Sequence, residues 1–327
     1  MRVALAGVYG FYLTFSLLIS RPAYAIFEVE KRFLQAQGIF SASTRVLFLT
    51  APINVILNYI LVWHPKIGFG FLGAPTAVCI TYWLQVVLLT LYIAYVNGKQ
   101  AWCGFSKRAF INWGLMIKLA IPGVIMWAAF EVLALAAAFI SSNALAAQSI
   151  LGTTASILFQ TPFAVAVAVS TRIGNLLGAG LVKPAKMAAN VAIVMALILG
   201  LFTWAGLFLF RHNLGKLFTG DAKVVALVAS VLPLSAVFEI LDCFSAVAGG
   251  ILRGTGKQKI GGYIVAYYLL AMPVGLSLTF KLHWDLLGLW TGMLHALTLV
   301  VVVEMIVIFR TDWQRQADEA TERMEHA

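Results

Sequence analysis

Residues 224–252 read VVALVASVLPLSAVFEILDCFSAVAGGIL, and the charges in that stretch are Glu239 and Asp242. A helix needs about 20 apolar residues to cross a bilayer, so the stretch predicts a membrane span. An ionisable group at that depth costs at least ~2.5 kcal/mol to insert, and as a rule it faces a partner or a water-filled cavity. Asp242 therefore marks a candidate site for a proton, an ion or a cation. Glu239 precedes it by three residues, which puts both carboxyls on one face of the helix.

Working outward, the rest of the chain has the same character. It is 61% hydrophobic and 11% charged, against roughly 45–50% and 25% in soluble domains. Nine apolar segments are predicted, near 3–27 (with a continuation towards 38 left open), 46–63, 71–96, 115–140, 145–170, 185–210, 224–252, 260–280 and 285–309. They are unbroken runs rather than short alternating segments, which selects helices over a barrel. The fold class expected is all-α, a polytopic membrane protein of about nine transmembrane helices.

The net charge of +10 does not point to nucleic acid, because the basic residues sit in short loops. The loops 28–45, 97–113, 171–186 and 253–259 and the C-terminal tail carry three each, fifteen in all. The opposite side holds six: Arg2, Lys66, Arg211, Lys216, Lys223 and Lys281. The positive-inside rule then places the C-terminus in the cytoplasm and, with nine spans, Met1 outside. Residues 1–25 also fit a signal peptide ending at Ala23-Tyr24-Ala25. The tail from Thr311 to Ala327 is expected to be a solvated helix, with Glu319 and Arg323 spaced as an i,i+4 pair.

Several patterns carry no chemistry. Gly68-Phe69-Gly70-Phe71-Leu72-Gly73 matches a dinucleotide fingerprint but joins two membrane spans, so helix entry and packing is the expected role. Gly254-Thr255-Gly256-Lys257 lacks the first glycine of a P-loop and the Ser or Thr after its lysine. Gly174 and Gly178 allow close helix approach. Cys79, Cys103 and Cys243 form no CxxC, and the five histidines share no helical face at ligand spacing. No catalytic residue, metal site or cofactor is expected, and the protein is not expected to be an enzyme.

Other features suit transport. Pro52, Pro122, Pro162, Pro233 and Pro273 fall in or at the ends of spans, where each removes a backbone hydrogen bond. Gln148, Ser149 and Gln160 put polar groups on the same helix as Pro162. Glu131 sits mid-span in IPGVIMWAAFEVLALAAAFI. Its carboxyl, with those of Glu239 and Asp242, could bind a proton and trade it for a cation. Tyr267 and Tyr268 could line an aromatic cavity for organic cations. Each has a plainer alternative: a helix–helix hydrogen bond for the acids, ordinary packing for the tyrosines.

Four strings taken together resemble the multidrug and toxic compound extrusion (MATE) family, in its eukaryotic, fungal form. They are FEVEKRFLQAQG at 27–38, LAAQSIL at 145–151, TPFAVAVAVSTRIGNLLGAG at 161–180 and GGILRGTGKQKIGGY at 249–263. The resemblance implies two six-helix lobes about a cavity that alternates between membrane faces. Against that pattern the chain corresponds to the fourth to twelfth helices, without the first three. Residues 1–98 would form a partial N-terminal lobe, 99–113 a cytoplasmic inter-lobe loop, 114–310 the C-terminal lobe and 311–327 a cytoplasmic tail. The lobe repeat shows faintly in Gln37-Gly38 and Thr255-Gly256.

By the same resemblance Asp242 matches the family's acidic position in the tenth helix, eleven residues before Arg253. Glu131 matches the second of two glutamates in the seventh helix, seventeen residues before Gln148. The chain is about one turn short near Met126, where the first glutamate would stand, and about two residues short near 263–268. The function implied is a secondary active antiporter in the plasma or vacuolar membrane. It would export organic cations and other drugs in exchange for protons or sodium, as a monomer in the bilayer with no nucleic-acid partner. Asp242 would carry the proton or the substrate charge, Glu131 and Glu239 would assist, and Gln148, Tyr267 and Tyr268 would line the cavity. A flippase of related architecture and a non-transporting remnant are the alternatives.

Overall fold

A computed structural model describes residues 2–102, 113, 114, 117, 121, 132, 135–257 and 273–325. The long helices among them are α1 (Arg2–Ala36), α2 (Ser41–Trp63), α3 (Gly73–Tyr95), α4 (Ser142–Gly178), α5 (Val182–Leu209), α6 (Ala222–Gly254), α7 (Asp285–Phe309) and α8 (Trp313–Glu325). No strand occurs among the described residues. Six stretches are long and apolar enough to cross a membrane: Ser41–Trp63, Gly70–Tyr95, Ser142–Gly178, Val182–Leu209, Ala222–Gly254 and Asp285–Phe309. The protein is a multi-pass membrane protein. The span expected at 3–27 falls within α1. Those at 115–140 and 260–280 lie largely outside the described residues.

Hydropathy located these helices but did not set their ends. α1 runs to Ala36, within the continuation towards 38, and α4 runs to Gly178, through half of the basic loop expected at 171–186. The 37 residues of α4 reach about 55 Å at 1.5 Å per residue, well beyond a hydrocarbon core of about 30 Å. Lys31, Arg32 and Arg172 accordingly sit on helix rather than in loops. Side-chain caps mark the starts of α4 and α6. The Ser141 hydroxyl accepts from the Ala144 N–H at 3.0 Å and Asp221 Oδ1 from the Lys223 N–H at 2.9 Å, filling donors a helix start leaves open.

The chain forms two compact units, Met1–Ala109 and Phe110–Ala327. In the first, α3 packs against α1 and α2. Polar side chains stitch α2 to α3: Gln85 Nε2 donates to Thr50 Oγ1 at 3.2 Å and Asn54 Nδ2 to Thr81 Oγ1 at 2.9 Å. The G-x-G-x-x-G stretch makes the turn between these helices. Gly73 lies so close to α2 that a Cβ there would stand 2.1 Å from the Leu61 carbonyl oxygen. Close packing is what Gly68 and Gly73 serve, whereas Gly70 has open space around it and supplies a positive φ of +59° in the turn.

In the second unit α6 is the central helix, packed on α4, α5 and α7. α5 meets it with a stripe of small residues, Ala185, Ala189, Ala192 and Ala196, extended by Gly200, where a Cβ would come within 3.1 Å of Ile240 Cα. Helices in lipid gain most from such close approach, because apolar burial alone gives little net drive there. Pro162 and Pro233 lie inside continuous helices. The C-terminal tail departs from expectation. α8 is helical, but Trp313, Gln316 and Ala317 are buried and the helix packs on α4 and α5. Apolar residues on one face of an otherwise charged segment were enough to dock it. Its ion pair links Arg315 Nε to Glu319 Oε1 at 2.9 Å; the side chain of Arg323 lies outside the described residues.

Candidate functional site

The two acids of α6 share a face but not an environment. Glu239 is 1% exposed, and neither of its carboxyl oxygens has a hydrogen-bond partner. Asp242, three residues on, is half-buried. A helix turns about 100° per residue, so side chains three apart diverge by about 60°. That angle leaves Glu239 enclosed by packing and Asp242 partly exposed.

Gln148 is buried on α4, and its Oε1 accepts from Trp290 Nε1 of α7 at 2.9 Å. Trp290 in turn meets Phe238 of α6 edge-on, with ring centroids 5.6 Å apart. This chain of contacts ties α4, α7 and α6 together one residue before Glu239. Gln148 therefore has a structural partner that nothing in its local sequence announces. Gln160 and Ser149 are exposed, and their side chains bond back to the carbonyls of Ser156 and Leu145. Glu131, Tyr267 and Tyr268 lie outside the described residues, as do the segments around Met126 and 263–268.

Sequence reasoning passed over Glu304. It sits in α7, five residues before the helix end, and is 5% exposed, with Oε2 unpartnered. The Ser245 hydroxyl and the Arg253 guanidinium of α6 face its carboxyl. The rule that singled out Asp242, an acid inside an apolar run, applies equally to LHALTLVVVVEMIVIF. No group of three or more His, Cys, Asp or Glu side chains among the described residues is arranged to hold a metal ion.

A polytopic bundle with acids enclosed in its spans is a membrane protein that keeps ionisable groups within apolar helices, and the comparisons narrow that class. The MatE family model matches residues 119–276. Protein DETOXIFICATION 16 of Arabidopsis thaliana is 36% identical, over 98% of this chain and 67% of its own length. The chain belongs to the MATE family. An uncharacterized transporter of Schizosaccharomyces pombe is 45% identical over 318 residues, which cover 95% of this chain and 59% of the relative. The crystal structure of the eukaryotic MATE transporter AtDTX14 superposes with a TM-score of 0.88 at 31% identity, over 97% of this chain and 72% of that one. The chain thus spans about three fifths of the length of that fungal relative.

Proposed function

We propose that the protein is a secondary active antiporter that moves organic cations and other xenobiotics out of the cytoplasm in exchange for protons or sodium. The observation that carries this reading is the pair in α6: a half-buried Asp242 beside a fully enclosed Glu239, inside a span of 33 residues. A carboxylate held in low dielectric attracts a cation strongly. A proton and a cationic substrate cannot both neutralise it, so binding one releases the other. Competition at a single acid suffices for exchange. Two relatives over 30% identical are called multidrug and toxin extrusion proteins, from Xenopus tropicalis and Mus musculus, which favours drugs as the substrate class. No enzymatic role is proposed, and the working unit is taken as a monomer in a plasma or vacuolar membrane.

Asp242→Asn tests the reading. The variant keeps the size and polarity of the side chain and removes its charge. Transport of ethidium by cells or liposomes carrying it is expected to fall to background, while the protein still purifies as one species. Transport at the parent rate would refute the role of Asp242. Dissipating the pH gradient and the sodium gradient separately identifies the coupling ion.

A further inference from the structure

Asp242, Ser245, Gly249 and Arg253 are spaced by three, four and four residues, so they form one stripe along α6. Asp242 stands mid-span and Arg253 is exposed at the helix end, about 16 Å apart along the axis. Gly249 leaves a gap in the stripe, and the carboxyl of Glu304 on α7 occupies it. A Cβ on Gly249 would lie 3.8 Å from Glu304 Oε1 and 3.3 Å from Arg253 Nη1. Ser245 faces the same carboxyl. Lys257 Nζ donates to Thr311 Oγ1 at 3.0 Å and ties the ends of α6 and α7 together beside this cluster.

We propose that Glu304 is a second proton-binding acid of this unit, a relay that passes protons between Asp242 and the Arg253 end of α6 through the gap at Gly249. The inference rests on the antiport reading of Asp242. Three features support it. Glu304 is buried with one oxygen unpartnered, a costly arrangement for an acid that only holds helices together. Each step of the stripe joins neighbours, since side chains three or four residues apart on a helix lie about 5–6 Å apart at Cβ, a hand-off that one water can bridge. The charged group facing Glu304 is Arg253, whose own end is exposed, while Arg172 of α4 and Arg310 at the end of α7 point to solvent. In the transfer, the O–H bond of protonated Asp242 breaks. The Ser245 hydroxyl accepts that proton as it donates its own, and an O–H bond forms on Glu304. The proton then leaves Glu304 for water at the Arg253 end. No electrons are exchanged.

The test uses the full chain in liposomes of phosphatidylcholine and phosphatidylglycerol. Infrared difference spectra between mildly acid and mildly alkaline buffer report the carbonyl bands of protonated carboxyls. Ethidium movement under an imposed pH gradient reports transport, and ethidium binding without a gradient reports the substrate site. One band should vanish in Glu304→Gln, and its titration midpoint should move in Asp242→Asn. Gradient-driven movement in Glu304→Gln should fall about tenfold or more, with binding unchanged within about twofold. Glu304→Asp should restore part of the movement. If Glu304→Gln does not fold, displacement of the band in Glu304→Asp makes the assignment instead. A band unaffected by either Glu304 substitution, a midpoint indifferent to Asp242, or parent-like transport in Glu304→Gln overturns the relay. If the parent chain moves no ethidium under any gradient while the Glu304 band still follows Asp242, the antiport reading falls and the relay stands.

Discussion

Single residues in the second unit separate into those that hold helices and those that hold charge. Gln148 belongs to the first kind. Replacing it by Leu leaves the Trp290 N–H without its acceptor, and hydrogen bonds between membrane helices average about 0.6 kcal/mol, with values up to about 1.7. Gln148→Leu should therefore lower the thermal midpoint slightly in detergent, and Trp290→Ala much more, since emptying a buried Trp site costs about 3–5 kcal/mol. Glu239 belongs to the second kind. Both its oxygens are buried without partners, and an unsatisfied buried group costs about 1–3 kcal/mol. Glu239→Met should raise the unfolding midpoint; a lowered midpoint would mean that the carboxyl is held by something the packing does not reveal. Asp242 and Glu239 were both visible in the sequence as acids in an apolar run. Their different exposure was not, because a 60° difference around one helix matters only once the neighbouring helices are in place.

Among the elements, contacts of glycine with a neighbouring backbone set how closely helices approach. A Cβ on Gly250 would stand 2.5 Å from the Ala166 carbonyl oxygen and 2.8 Å from its Cα. The obstacle is backbone, which cannot rotate away, so Gly250→Ala must push α4 and α6 apart. Overpacking of this kind costs about 1–3 kcal/mol. The expected result is a lower unfolding midpoint, together with faster protease cleavage near the ends of α4. The repeat suspected from Gln37-Gly38 and Thr255-Gly256 has a structural counterpart. Ile39 N–H bonds to the Leu34 carbonyl and Gly38 N–H to that of Gln35, just as Lys257 bonds to Leu252 and Gly256 to Arg253. Both glycines have positive φ, +78° and +73°, which residues with a Cβ adopt only at a cost. The same cap recurs at Gly180, so by itself it marks a helix end rather than a duplicated lobe.

For the whole molecule, the C-terminal helix shows that the second unit is more than its spans. Trp313 and Ala317 of α8 share a buried cluster with Ile173 of α4 and with Ala185 and Ala189 of α5. Trp313→Ala should destabilise this unit by about 3 kcal/mol and release the tail to protease, measurable as early loss of the C-terminus in a limited digest. A tail that is cut equally fast in both proteins would show that the docking contributes nothing. The polar stripe from Asp242 to Arg253 belongs to this scale too, since it acquires its second carboxyl, that of Glu304, from a helix some fifty residues further along the chain.

The amino-acid sequence by itself determined the class of protein, the position of most spans and the acid in α6. Those features depend on local composition: a run of about 20 apolar residues partitions into lipid whatever surrounds it, and a charge inside that run stands out. Tertiary structure alone decided how far each acid of α6 is exposed, that Gln148 is bonded to Trp290, that the tail docks, and that Glu304 fills the space over Gly249. Each of these pairs residues from helices distant in sequence. In a chain this uniformly apolar, hydropathy hardly distinguishes one helix face from another, so the faces are chosen by close packing and by the few polar groups that must find one another.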